Sequence, residues 1–190
     1  MKKYLAAAAL IALAGSANAG IALLDGVLQP GDGSEANAYN FGSLSETPEV
    51  LFVSVAGAAG TTFEEYANFS IDAASGVSGT ANTYALTFGR IDLLDIDNLM
   101  IEVWDNTHPG GGTLFATFAG DNVTNWIGTL GAGQYHLDIS GVFGPNASGG
   151  QYSVALNAVP AVPEPETYAL MLAGLGAVGF MARRRRQTQG

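Results

Sequence analysis

Two histidines, three closely spaced aspartates and two tryptophans are the residues of this sequence whose types invite chemistry. His108 sits in the run Asn106-Thr107-His108-Pro109-Gly110-Gly111-Gly112, which has the composition of a turn. His136 stands two residues before Asp138 on the same side of an alternating segment, where a nearby serine would complete a nucleophilic triad. Neither histidine lies in a zinc spacing such as H-E-x-x-H, and no serine lies in G-x-S-x-G. The glycine-rich segments match no phosphate or dinucleotide loop. The absence of cysteine removes thiol nucleophiles, thiolate metal sites and disulfides together. The chain is therefore expected to be non-catalytic and to need no cofactor.

Asp92, Asp95 and Asp97, followed by Asn98, form the densest group of oxygen ligands. Hard cations such as Ca²⁺ take several carboxylate and carbonyl oxygens, so these three are the candidate metal residues. Leu93, Leu94 and Ile96 interrupt them and the EF-hand glycine is missing, so a solvated acidic strand connection is the favoured reading. Trp104 and Trp126 are the candidate platforms for stacking a sugar, with Tyr135 as a third aromatic. Trp104 shares its strand face with Glu102, so that side is expected to be wet, and His136 is expected to face solvent.

Charge narrows the partners. The formal net charge is -10, and Lys2, Lys3, Arg183, Arg184, Arg185 and Arg186 all lie in the terminal segments. Arg90 is the single lysine or arginine in between. Such a surface repels nucleic acid and anionic lipid and suits an exported protein or one that meets cations.

The elements that must position these residues read as β-strands. Leu51, Val53 and Val55 alternate with Phe52 and Ser54; Ala67, Phe69 and Ile71 alternate with Tyr66, Asn68 and Ser70. Tyr84, Leu86 and Phe88 share one face, as do Leu99, Ile101 and Val103, and Tyr135, Leu137 and Ile139. Leu114 to Phe118 and Tyr152 to Leu156 complete the set. Short alternating runs separated by Gly, Asn, Asp and Ser predict an all-β domain, a single β-sandwich or jelly roll, over residues 20–157. Residues 158–167 read as a proline-rich linker.

The two ends carry targeting patterns. Lys2 and Lys3, an apolar stretch over residues 5–14, and Ala17-Asn18-Ala19 predict a signal peptide over residues 1–19, cut so that Gly20 becomes the first residue. At the other end, Pro163-Glu164-Pro165 precedes an uncharged run over residues 168–182 and a basic tail over 183–190. A helix of that length spans about 22 Å, short of a hydrocarbon core of about 30 Å. Four arginines hold that end in the cytoplasm by the positive-inside rule. A short transmembrane helix with its domain outside is the expectation.

Pro163-Glu164-Pro165, the short apolar helix and Arg183, Arg184, Arg185 and Arg186, in that order, resemble the PEP-CTERM sorting signal of Gram-negative bacteria. That resemblance implies recognition by an exosortase and delivery to the cell surface or an exopolysaccharide matrix after transient anchoring in the inner membrane. The segments around Phe63 to Ile71, Leu99 to Trp104, Leu130 to Gly141 and Gly149 to Val154 resemble the FxDxF class of PEP-CTERM proteins. Their order is also similar to bacterial pre-peptidase C-terminal domains, which are β-sandwiches. The implied partners are signal peptidase, an exosortase, the membrane through the C-terminal helix, and exopolysaccharide, with no nucleic acid. A non-catalytic surface or biofilm-matrix protein is the first expectation. A carbohydrate-binding module for the exopolysaccharide is the alternative, and a hydrolytic enzyme the third.

Overall fold

The computed structural model describes residues 20–105, 112–161 and 169–178. The chain divides into two compact units, Met1–Pro160 and Ala161–Gly190. The first unit holds thirteen described strands: β1 (Ile21–Leu24), β2 (Val27–Leu28), β3 (Tyr39–Ser43), β4 (Glu49–Ala56), β5 (Thr62–Ile71), β6 (Ser75–Tyr84), β7 (Leu86–Phe88), β8 (Ile91–Leu94), β9 (Ile96–Asp105), β10 (Leu114–Ala119), β11 (Asn125–Leu130), β12 (Gly133–Phe143) and β13 (Gly149–Pro160). Six form one sheet in the order β11-β6-β13-β4-β1-β2, and five form another in the order β10-β9-β12-β5-β3. β7 and β8 pair as a separate hairpin. The fold is all-β, with two sheets stacked on one core.

Period-two alternation builds that core. On the six-stranded sheet Leu51, Val53, Val77, Tyr152 and Val154 point inward and are fully buried. Ala67, Phe69, Ile101, Leu137 and Ile139 meet them from the five-stranded sheet. A fully buried side chain of this size stabilises the fold by roughly 1.5–3 kcal/mol relative to exposure. Pairing is antiparallel except between β3 and β5, which run parallel. Parallel neighbours need a crossover, and β4 supplies it by passing through the opposite sheet.

Local sequence explains the turns. Asp25 and Gly26 link β1 to β2, both at positive φ (47° and 85°), as a two-residue hairpin turn requires. A bulge in β9 sits at Asn98, whose φ is 55°, where the register against β12 shifts. The extra residue resets the alternation, so Ile96 and Leu99, three apart, both face the core.

Several expectations change. Tyr84, Leu86 and Phe88 do not lie on one strand: the run breaks between β6 and β7, and all three are exposed, Phe88 at 76%. Strand β6 is poor in large apolar residues, and β11 carries Trp126, Ile127 and Leu130 out of strict alternation around a bulge, so alternation of bulky side chains missed both. β13 continues through Pro160, three residues into the segment expected to be linker.

In the second unit, residues 169–178 form one helix, α1. Leu170, Met171, Leu172, Leu175 and Val178 are all more than half exposed on it. Its ten residues span about 15 Å. Among the described residues no helix is long and apolar enough to cross a membrane. The rest of the expected span over residues 168–182 lies outside the described residues, as does the signal peptide over 1–19.

Candidate functional site

The two tryptophans end in different settings. Trp104 is half-buried on the outer face of the five-stranded sheet, and its indole Nε1 donates to Glu102 Oε2 at 3.2 Å. It lies opposite His136 in the register of β9 and β12. His136 is buried, at 5% exposure, which corrects the expectation that it faces solvent. β12 is the middle strand of its sheet, so Trp104 on one side and the β5 residues on the other cover its outer face. Alternation tells which face a residue takes, not whether that face is covered. His136 Nε2 stands 3.5 Å from Asp138 Oδ1. Tyr66 and Glu64 stand on the same face of the adjacent β5, and burial together with the charge of Glu64 pushes the Tyr66 phenol up to about 12. This face is acidic.

Trp126 is 65% exposed on β11, an edge strand of the six-stranded sheet. Its ring covers Gly76 of β6, where a methyl group would collide with the indole. The glycine gives the ring a flat bed. The outward positions of β11, β6, β13 and β4 contain no charged residue: Ser78, Thr80 and Asn82 on β6 lie beside Ser153, Ala155 and Asn157 on β13. At the far end Tyr84 donates to or accepts from Ser153 Oγ at 3.1 Å, and its ring meets that of Phe52 at 5.5 Å. From Ser78, the register partner of Trp126, to Tyr84 is about 20 Å along the strand. An aromatic platform at each end of an uncharged shelf of hydroxyl and amide groups is suited to stacking and hydrogen bonding a neutral ligand.

The aspartates do not converge. Asp92 lies in β8, Asp95 in the break before β9, and Asp97 in β9 with its side chain exposed. Burial, then the charges of Asp97 and Asp92, raise the Asp95 carboxyl above its usual range. The three feel each other without sharing a point. Among the described residues no group of three acidic, histidine or cysteine side chains comes together to hold a metal ion.

A buried acid was missed from the sequence. Glu65, at 1% exposure, lies inward on β5 between Phe63 and Ala67. Tyr39 Oη donates to its Oε1 at 3.0 Å and Tyr152 Oη to its Oε2 at 2.5 Å. Burial raises the carboxyl from 4.5 to about 7; the tyrosine hydrogen bonds oppose that rise and Asp32 adds to it. Burial and the facing carboxylate hold both phenols protonated, so both remain donors. The signal was present: extending the alternation of Ala67, Phe69 and Ile71 back by two residues puts Glu65 in the core.

Ala17, Ala19, Pro163, Glu164, Pro165, Arg183, Arg184, Arg185 and Arg186 lie outside the described residues, and His108 does too. Gly20 is described and leads directly into β1. No curated protein matches the chain. Residues 161–186 match the family model of the PEP-CTERM protein-sorting motif. The motif implies exosortase-dependent sorting of an exported protein to the cell surface, and this chain carries it across its proline-rich segment, α1 and the four arginines.

Proposed function

We propose that this chain is a non-catalytic surface or matrix protein: a signal peptidase frees it at Gly20, its tail halts in the inner membrane, and an exosortase cuts there and passes the β domain outward. The observation that carries the reading is the sorting motif over residues 161–186. The acidic domain, with Arg90 its one lysine or arginine, suits a protein that stays soluble once released. The test is a map of both chain ends in each cell fraction by mass spectrometry. Surface material beginning at Gly20 and ending before residue 168 is expected. Full-length chains confined to the cytoplasm would overturn it.

A second reading has its own observation. The uncharged outer face of the six-stranded sheet, bounded by Trp126 and by Tyr84 with Phe52, favours a carbohydrate-binding role toward a neutral exopolysaccharide. Of the two sequence candidates, Trp126 is the exposed platform, and Trp104 is engaged with Glu102. On native polysaccharide, Trp126→Ala is expected to weaken retention by about tenfold, since stacking on one aromatic is worth on the order of 1–2 kcal/mol. Trp104→Phe is expected to leave retention unchanged. Equal retention of wild type and Trp126→Ala would remove this reading.

A further inference from the structure

The buried side chain of Glu65 packs against Gly20, the residue expected to begin the mature chain. Gly20 abuts it so closely that a methyl group on its Cα would collide with Tyr39 Oη and lie 2.5 Å from Glu65 Oε1. Gly33, at φ 78°, closes another side, and a methyl group there would lie 2.9 Å from the same oxygen. Two bare backbones therefore border Oε1. The carboxylate accepts one hydrogen bond per oxygen, from Tyr39 and from Tyr152, which leaves lone pairs for a further donor. The charged or titratable groups acting on it are Tyr39 from β3, Tyr152 from β13 and Asp32 from the segment before β3; no cation is among them. Arg90 lies exposed between β7 and β8, and the only lysines are Lys2 and Lys3.

We propose that the site takes the chain's own α-ammonium: hydrolysis of the Ala19–Gly20 peptide bond leaves a free amine on Gly20, which forms a buried ion pair with Glu65. This rests on the reading that signal peptidase cuts before Gly20. Water adds across the bond, giving a carboxylate on Ala19 and a protonated amine on Gly20. The Gly20 nitrogen lies within about 5 Å of Glu65 Oε1, because nitrogen and a hypothetical Cβ on one Cα are about 2.5 Å apart. Rotation of the freed terminus about its Cα–C bond turns the nitrogen toward the carboxylate; the full methyl direction would bring it within 2.5 Å of Oε1, so a partial rotation suffices for a hydrogen bond. Opposite charges at this range favour both ionised forms, so a carboxylate that faces no cation among the described residues gains one on processing. Cleavage thereby becomes a step that completes the core.

The absence of lysine after Lys3 makes the test specific, because the amine of Gly20 is then the single primary amine of the mature protein. The mature protein is purified from the cell envelope, its first residue determined, and its reaction with an amine-reactive ester at neutral pH followed natively and in denaturant. Native labelling is expected to be at least ~100-fold slower than in the unfolded chain, since reaction requires local opening. A serine inserted between Ala19 and Gly20, so that the mature chain starts one residue earlier, is expected to restore fast labelling in a folded protein. So is Glu65→Gln, and the insertion decides if that variant fails to fold. A first residue of Gly20 with equally fast native and denatured labelling overturns the ion pair and leaves the cleavage reading standing. Equal protection of the serine-extended protein also overturns the ion pair. A first residue other than Gly20 overturns both.

Discussion

Glu65→Ala is expected to lower the melting temperature by about 10 °C or more, a loss of roughly 3–5 kcal/mol. The cause is local. Tyr39 and Tyr152 are fully buried, and each directs its hydroxyl at the carboxylate. Alanine leaves two buried donors without acceptors, at about 1–3 kcal/mol each, and a cavity besides. Glu65→Gln keeps the shape and one carbonyl acceptor, so its loss should be smaller. Scanning calorimetry checks both. A drop below about 3 °C for the alanine variant would mean that the tyrosines find other acceptors.

The same carboxyl sets a pH dependence whose sign differs from that of a surface acid. In the uncut chain its folded value is raised from 4.5 to about 7, chiefly by burial. Between these values the folded state holds a proton that the unfolded state has released. The contribution is therefore complete below pH 4.5 and is lost as pH rises through 7. The full span is on the order of 3 kcal/mol. Urea midpoints of a precursor that cannot be cut should fall between pH 5 and pH 7.5. Those of Glu65→Gln in the same background should not show this fall. In the mature protein the ammonium of Gly20 favours the ionised carboxylate, so the slope should flatten.

Strand positions were legible wherever bulky residues alternate, as in Leu99, Ile101 and Val103 or Tyr135, Leu137 and Ile139. They were not legible in β6, whose inward residues are Ser75, Val77, Gly79 and Ala81, because small side chains leave no apolar period. The bulge at Asn98 also breaks the period, and no local propensity marks which residue will absorb the extra step. Sequence placed Trp104 and His136 on the outer face of their strands correctly. Only the sheet order shows that a central strand with large neighbours buries His136 while an edge strand over Gly76 exposes Trp126. Glu65 was hidden by the prior that acids lie outside, although its phase in β5 said otherwise. The pairing of Gly20 with Glu65 joins residues 45 positions apart and depends on the fold.

Charge is sorted between the two outer faces of the domain. Glu64, Glu102 and Asp138 lie on the outside of the five-stranded sheet, while the outward positions of β4, β6, β11 and β13 are uncharged. In a chain of net charge -10 this leaves one face on which a second copy meets no like charge and a neutral polymer meets no charged group to desolvate. The aromatic residues at its two ends favour the polymer. Retention by polysaccharide that survives dilution of the protein separates that binding from self-association.

Replacing Pro163, Glu164 and Pro165 together with alanine is expected to make the uncut chain the main species and to hold it in the inner membrane. The expectation rests on a tail whose apolar run is short for a lasting anchor. Leu170, Met171, Leu172, Leu175 and Val178 expose apolar surface along the ten residues of α1, so it calls for lipid or a protein groove. Yet the uncharged run over residues 168–182 would span only about 22 Å as a helix, short of a hydrocarbon core of about 30 Å. A short apolar run followed by four arginines is expected to stall, because guanidinium groups do not readily cross and the basic end stays inside. Prolines disfavour helix and bias the residue before them to extended conformations, which suits engagement by a processing enzyme. Alanine in their place extends the helical run toward the domain, lengthening the anchor and removing the cut site in one step. Neutralising Arg183, Arg184, Arg185 and Arg186 should act in the opposite way, letting the helix slip so that the chain is misrouted before it is cut. Mass spectrometry of the surface fraction decides between them. Wild-type chains there should lack residues 168–190. If intact chains ending beyond the arginines dominate, the tail is a lasting anchor and the processing step is wrong.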